Sequence, residues 1–464
     1  MRASRGFVRW VILPAILAFS PPASARAQSA RVAQSDPALE QRVKELEETV
    51  RRLQRSQGGV EDLIDDKIRQ AKPVAGYKDG FFIQTQDGDW RLRLGGYTQF
   101  DGRFFPSDAK GLNTDQFVFR RVRPILEGTV AKYFDFRIMP DFAGSKIVLF
   151  DAYADFKYWP QAKLRAGKFK PPVGLERLQS ATAIVFAERA APTNLVPNRD
   201  LGIQLFGDLW NGALSYQLGV FNELQDLANN DGDVGDDKEF AGRIFAQPFV
   251  NTSIAPLAGL GFGIAGTYGN QQGSLSSPEL ATYKSPGQAN IFSYRKGDTL
   301  PDTVIADGIL YRWTPQAYYY FGPLGLLFEY VESDTPVTKD KTSETLSNHA
   351  WEVTASWVLT GEKASFRGVT PDRPFDPRKN QWGAFEVAFR ADSLDIDGDA
   401  FAKGFADPKK AIGRATGYAG GINWYLNKNI KLVLDYFHSD FRKGGSTGDR
   451  PREEAIIGRV QLVL

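Results

Sequence analysis

The 464-residue chain contains no cysteine. That absence excludes disulfide frameworks, thiolate-held zinc and thiol nucleophiles, and it suits an oxidising compartment. Histidine is nearly missing as well. His349 and His438 are the only two, so a histidine-rich metal site and a histidine-activated nucleophile both lack their parts. Neither sign of charge dominates, with 57 basic against 55 acidic residues, so no global basic field points to nucleic acid. Nor does any stretch reach the roughly 20 apolar residues of a membrane-spanning helix. What the chain does have is aromatic side chains, 13% of the total, and these need a home.

The N-terminus indicates export. Arg2, Arg5 and Arg9 precede the apolar run "WVILPAILAF", and the small residues of "ASARAQ" follow. This is the pattern of a signal peptide, residues 1–27, cut after Ala27 or Ala25. Next, Leu39, Val43, Leu46, Val50 and Leu53 alternate at spacings of four and three, the seam of a short coiled coil that Gly58-Gly59 is expected to break. Residues 28–75 therefore read as a coiled-coil stalk and linker. Two or three heptads are marginal alone, so the seam predicts an oligomer. The other reading is an amphipathic helix lying on the protein's own surface.

From Trp90 onwards the period is two, and residues 76–464 read as one β domain. In "WEVTASWVL", Trp351, Val353, Ala355, Trp357 and Leu359 alternate with polar residues, and "GAFEVAFR" and "AIIGRVQLVL" repeat the pattern. Sixteen such segments begin near residues 90, 116, 133, 147, 162, 201, 213, 238, 260, 308, 324, 348, 381, 414, 430 and 454. Many run to ten residues, aromatics gather near their ends, and connections alternate between tight and long, the long ones near 224–236, 271–307, 335–346 and 396–411. Those features describe a 16-stranded antiparallel transmembrane β-barrel. The segments 247–258 and 361–380 are long connections on the opposite side. A lysine or arginine facing lipid near mid-membrane costs roughly 2–4 kcal/mol. Arg91, Arg93, Arg121, Arg123, Arg137, Lys163 and Arg165 must therefore face inward or sit at the rim, which makes the interior polar and wet.

One connection is unlike the others. In "LRAGKFKPPVGLER", Pro171 and Pro172 cannot donate to a ladder, so they force the chain off the wall. The segment after them is too long for a link and too apolar in the middle to float in solvent. It is expected to fold into the lumen and bring Arg177, Glu188 and Arg189 near the permeation path.

At these residues the sequence resembles the phosphate-selective porins of the O and P type. The shared motifs are "FRRVR", "LRAGKFKPPVGLE" followed by "AER", "GVFNE", "LTGE" and "GGINWYLNKNIKL", spread over roughly residues 80–464. The resemblance implies a trimeric outer-membrane channel for small anions, phosphate among them, constricted by its third loop and lined by a ladder of arginines with lysines. By motif it carries over Arg120 and Arg121 in "FRRVR" and Arg189 in "AER". The full set expected to line the pore or touch the anion is Arg91, Arg93, Arg120, Arg121, Arg123, Arg165, Lys168, Lys170, Arg177 and Arg189. Where the resemblance implies a lysine inside the third loop this chain has Thr182, and its fifth loop offers only Lys284, Arg295 and Lys296. A dehydrated phosphate needs several fixed cationic donors, so the expectation is electrostatic preference rather than a tight phosphate site. The last residue is Leu464, where such barrels usually end on an aromatic.

No cofactor or metal is implied. "GFGIAG" at 261–266 lies in an apolar strand with no following helix, which a dinucleotide fingerprint requires. The acidic stretches 229–237 and 392–399 lack the glycine and terminal glutamate of calcium loops and read as solvated outer loops. Inward charges such as Asp101, Asp151, Asp155, Glu329 and Arg390 are expected to pair across the lumen. Besides anions and a homotrimer, the expected partners are outer-membrane lipids and lipopolysaccharide, with the coiled coil offering a cell-wall contact. Two rival readings stand: an exported soluble β-sandwich that binds or cleaves glycans, and a structural barrel tethered to the wall.

Overall fold

The computed structural model describes residues 37–464 except 107–112, 145, 224, 230 and 233–234, and between 57 and 71 it describes the backbone alone. The expected signal segment, 1–27, lies outside the described residues. The chain divides at Gln70 into two units.

The first unit is a helix, α1, over Pro37–Ala71. Contrary to the expected break, it runs through Gly58-Gly59 without interruption. Each glycine costs about 1 kcal/mol against alanine in a helix, and the glutamate, arginine, leucine and glutamine residues before them are strong helix formers that carry the element through. Leu39, Val43, Leu46, Val50 and Leu53 form one stripe, and all are 49–65% exposed.

The second unit is a closed antiparallel barrel of sixteen strands. In chain order they are β1 (Arg91–Phe104), β2 (Gln116–Val130), β3 (Phe134–Asp141), β4 (Val148–Trp159), β5 (Ala162–Phe169), β6 (Asp200–Leu209), β7 (Leu214–Phe221) and β8 (Glu239–Ala246). The series continues with β9 (Leu260–Gln272), β10 (Ile305–Phe321), β11 (Leu324–Lys339), β12 (Thr342–Val358), β13 (Ala384–Asp395), β14 (Ile412–Tyr425), β15 (Ile430–Gly445) and β16 (Glu453–Val463). Each pairs with its sequence neighbour, and β16 closes on β1 in the register Val463↔Tyr97 to Ile456↔Phe104. The final Leu464 belongs to this seam, its N–H donating to the Gly96 carbonyl at 2.8 Å. Gly96 has φ +147°, and a β-carbon there would lie 2.5 Å from the Arg123 carbonyl oxygen, so this close approach demands glycine. A small hairpin, Val74–Tyr77 and Phe81–Gln84, extends the ladder beside the lower end of β1.

Alternation decides the two faces. Ile203, Leu218, Ile244, Ile264, Phe389, Ile422 and Leu434 point outward and are exposed. Gln99, Arg121, Gln204, Gln316, Glu329, Glu352 and Asp435 point inward and are buried. Bands of aromatics flank the outer apolar belt, with Trp90, Trp159, Trp210 and Trp382 at one end and Phe117, Tyr268, Tyr311 and Tyr418 towards the other. The expected long loop at 335–346 is absent. β11 and β12 continue to Lys339 and Thr342 and are joined by Asp340 and Lys341 alone, because Asp340 adopts φ +52° and lets a two-residue turn close the hairpin. Polar strand residues there resembled a loop, since a strand that rises clear of the membrane has no lipid face to mark it.

Leu434 pairs with Ile422 and sits in the outward belt. Leu434→Arg is expected to lower barrel stability by about 2–4 kcal/mol, measured by denaturant titration of refolding in lipid vesicles. An unchanged midpoint would place this face against water.

Candidate functional site

The third connection, residues 170–199, leaves β5 at the two prolines and turns into the barrel. Pro171 to Arg177 are buried, as are Ile184, Phe186, Ala187 and Glu188. Such a segment must satisfy its own backbone polar groups, and here the barrel wall does it. From β11, the Glu329 carboxylate accepts the N–H groups of Leu175 and Glu176. From β15, Asp435 accepts Ala187 N–H at 2.6 Å, and Lys431 donates to Ile184 O at 3.0 Å. Arg390 on β13 donates to Glu188 O at 2.9 Å, and Arg459 on β16 donates to Ala187 O at 2.6 Å. Gln99 and Gln461 reach the carbonyls of Ala181 and Thr182. Apolar groups complete the seat: Val173, Leu195 and Val196 are fully buried in a cluster with Tyr283 and Phe292 of the fifth loop and Phe405 of the seventh.

This seating divides the lumen electrically. The wall from β11 to β15 turns Glu329, Glu352, Glu386, Asp392 and Asp435 inward, all buried, and the loop is packed against that side. The opposite side stays open as a cavity of about 280 Å³ between the loop and strands β1 to β4. Among the described residues its border holds Arg120, Arg121, Arg123, Arg137, Lys170, Arg177, Arg189 and Arg199, with Asp151 as the single carboxylate.

Two adjacent arginines face the same cavity because β2 is irregular. Gln99 pairs with Arg121 and Phe100 with Phe119, so Arg120 is the extra residue of a β-bulge. Arg120 grips Glu188 through Nε at 2.6 Å and Nη2 at 3.0 Å, and Arg103 meets the same carboxylate at 2.6 Å. Burial by itself would raise the pKa of Glu188, but Arg120 and Arg103 hold it well below the usual carboxylate range. Arg123 is tied to Asp141 at 2.7 Å and to the Tyr97 hydroxyl at 2.9 Å.

Four cations are held differently. Arg121 donates to Gln99, Lys170 to the carbonyls of Leu178 and Gln179, Arg177 to Thr193 O, and Arg189 to the carbonyls of Glu176 and Gln179. Among the described residues none of the four has a carboxylate within ion-pair distance. They are fixed by neutral dipoles, and their charge is uncompensated by a bonded partner.

The remaining expected residues go elsewhere. Arg91 and Arg93 border a lower cavity of about 350 Å³. Arg93 pairs there with Glu127, which also binds Arg137 at 2.8 Å. Arg137 in turn reaches Asp151 at 3.2 Å, and Asp151 reaches Arg199 at 3.1 Å, so charges of alternating sign link the two cavities along the wall. Arg165 forms a fork with Asp155 and lies over the Tyr153 ring. Lys168 borders neither cavity; it is buried and bonded to Asp231 of the fourth loop. Asp101, Asp151, Asp155 and Arg390 do pair with opposite charges, but with neighbours along the wall rather than across the lumen: Arg459, Arg199, Arg165 and Asp392. Glu329 instead spends its carboxylate on loop amides. Arg199, Tyr97 and Phe150 were missed. Arg199 sits at the loop's far end, where its position before β6 was the available signal, whereas Phe150 gave none because its inward turn depends on a second bulge.

Residues 92–464 match the model of the family described as phosphate-selective porin O and P. The chain belongs to this family. It is an outer-membrane porin, and it is 23% identical over 426 residues to Porin O of Pseudomonas aeruginosa, a match covering 83% of this chain and 91% of that protein. Among solved structures, its fold is similar to the outer membrane channel DcaP of Acinetobacter baumannii (TM-score 0.53, 11% identity, 84% of this chain and 100% of that one). It is also similar to an anion-selective porin from Comamonas acidovorans (TM-score 0.51, 12% identity, 81% and 100%).

In this porin Glu188 joins the loop tip to two walls. Glu188→Gln is expected to cost about 3 kcal/mol of local stability, since it leaves buried guanidinium charge uncompensated. Faster amide exchange over residues 186–190 in the detergent-solubilised protein would show it, and unaltered exchange would mean that the backbone bonds alone hold the tip.

Proposed function

We propose that this porin is a passive diffusion channel for small anions, phosphate among them, and that selection takes place in the 280 Å³ cavity beside the third loop. One observation carries the reading: eight cationic side chains face a single carboxylate there, and four of the eight are held by neutral groups only. Fixed cations lower the electrostatic barrier for an anion and raise it for a cation, and flow follows the gradient. Phosphate asks for more, because its oxygens must exchange water for several donors. Thr182, which replaces the expected lysine, hydrogen bonds with Ser180. Lys170 brings an ammonium to the cavity from the other end of the loop, with one of its three N–H groups beyond the two given to carbonyls. Among the described residues the buried Nε of Arg177 has no protein acceptor, which leaves a buried water to serve it.

In planar bilayers a salt gradient is expected to give a reversal potential of anion selectivity, and phosphate added to chloride is expected to reduce the current. Cation selectivity would sink the proposal, while undiminished current would confine it to simple anions. Burial and the nearby guanidiniums of Arg199 and Arg189 hold the Lys170 pKa well below the ordinary lysine range. Its charge is therefore present at low pH and lost as pH rises, so anion preference should decline at a lower pH than an ordinary lysine would impose. Lys170→Met should remove that decline; a decline that survives the substitution belongs to another group.

The α1 stripe supports a second element of the proposal, assembly of several copies. With Val43 and Val50 at a and Leu39, Leu46 and Leu53 at d, Arg42 falls at g and Glu47 at the following e. In a parallel pair these meet with opposite charge, whereas an antiparallel pair sets like positions together. Because the chain has no cysteine, Val43→Cys should yield disulfide-linked dimers and Glu48→Cys should not. Equal linkage at both positions would refute a specific seam.

A further inference from the structure

Phe150 carries no charge and lies in the membrane-spanning strand β4, where a phenyl ring would be at home facing hydrocarbon. Adjacent side chains of a regular strand leave opposite faces, so with Asp151 inward Phe150 should point out. The register slips at this point. Met139 pairs with Asp151 and Pro140 with Leu149, leaving Phe150 as the extra residue of a bulge. Its ring consequently joins Asp151 on the cavity border.

There the ring meets two cations from different parts of the chain. The guanidinium carbon of Arg123, from β2, lies 3.7 Å from the ring centroid, and that of Arg199, from the end of the third loop, lies 4.8 Å from it. Both distances are inside the range in which an aromatic face attracts a cation. Two like charges that would repel one another thus share one electron-rich surface. Each is fixed at Nε by a carboxylate, Arg123 by Asp141 at 2.7 Å and Arg199 by Asp151 at 3.1 Å. Their Nη1 groups are taken by the Tyr97 hydroxyl and by Asn198. Among the described residues the Nη2 group of each has no protein acceptor.

We propose that Phe150 is a positioning residue for selectivity: its ring keeps the Arg123 and Arg199 guanidiniums in place with their free edges turned to a passing anion. Without the ring both forks can rotate onto Asp141 and Asp151, and the cavity keeps its charge while losing its fixed donors. The inference rests on the anion-channel reading and names a neutral side chain as one of its determinants.

The full-length porin, Phe150→Leu, Phe150→Tyr and Arg199→Lys are compared in planar bilayers, with chloride current titrated by inorganic phosphate and the reversal potential recorded. Phe150→Leu is expected to weaken phosphate block by roughly tenfold and to shift the reversal potential towards non-selectivity, the sum of two modest cation–π contacts. Phe150→Tyr, which restores the face, should stay within about twofold of wild type. Arg199→Lys keeps the charge but not the planar stack, and combined with Phe150→Leu its loss should fall short of additive. Where Phe150→Leu yields no folded channel, Phe150→Tyr and Arg199→Lys decide: a wild-type Arg199→Lys or a defective Phe150→Tyr overturns the proposal. So does wild-type behaviour of Phe150→Leu, or full additivity. A wild-type channel without anion selectivity instead refutes the conduction reading itself, before any variant is compared.

Discussion

The third loop depends on an exchange of hydrogen bonds between backbone and wall. Thirty residues of irregular chain enter a barrel whose interior is crowded, and peptide groups buried without partners would expel them. Glu329 and Asp435 accept loop amides, while Lys431, Arg390 and Arg459 donate to loop carbonyls. These contacts serve two ends together. They anchor the loop, and they consume the acidic side of the lumen, so that carboxylates which would repel anions are turned to structural use behind a peptide screen. The basic side is left facing the open cavity. Selectivity is thus a matter of which wall the loop leans on as much as of how many arginines the sequence contains, since the chain as a whole is close to neutral.

Much of this could be read from the residues. Alternation in segments such as "WEVTASWVL", together with the cost of a lipid-facing cation, placed Arg121, Arg123, Arg137 and Arg165 inward, and the structure has them there. The two prolines after "KFK" marked where the chain leaves the wall, because a residue without an N–H cannot continue a ladder. Sixteen strands follow from the same reasoning. The failures have physical reasons too. Lys168 stands in phase with the outward Leu164 and Ala166, so alternation does not aim it at the lumen, and Asp231 of another loop claims it. The β11–β12 hairpin read as a loop because its upper part is polar on the outer face, and the few inward apolar residues, Val337 and Leu346, are too sparse to show a period of two. Glu329 was expected to answer a cation, and nothing in a linear sequence shows that two amides of a distant segment will arrive first.

Bulges are the other source of error, and an instructive one. A single extra residue in β2 turns Arg120 to the same side as Arg121, and one in β4 turns Phe150 to the side of Asp151. Both extra side chains border the same cavity. Period-two reasoning must fail at such points, since a bulge is defined by breaking the period. Two breaks converging on this cation-rich cavity let the wall crowd more functional groups onto one border than regular strands could supply.

The uneven strand lengths make the mouth lopsided. β11 and β12 have 16 and 17 residues, whereas β5, β7 and β8 have 8 each. At about 3.3 Å per residue and a tilt near 40°, the tall hairpin rises roughly 40 Å along the axis and the short strands only about 20 Å, against an apolar band of about 25 Å. A solute arriving from the medium therefore meets a parapet on one flank and a low sill on the other. Beneath that sill there is too little ladder to cross the hydrocarbon unaided, so the bilayer must thin there or another subunit must stand against it.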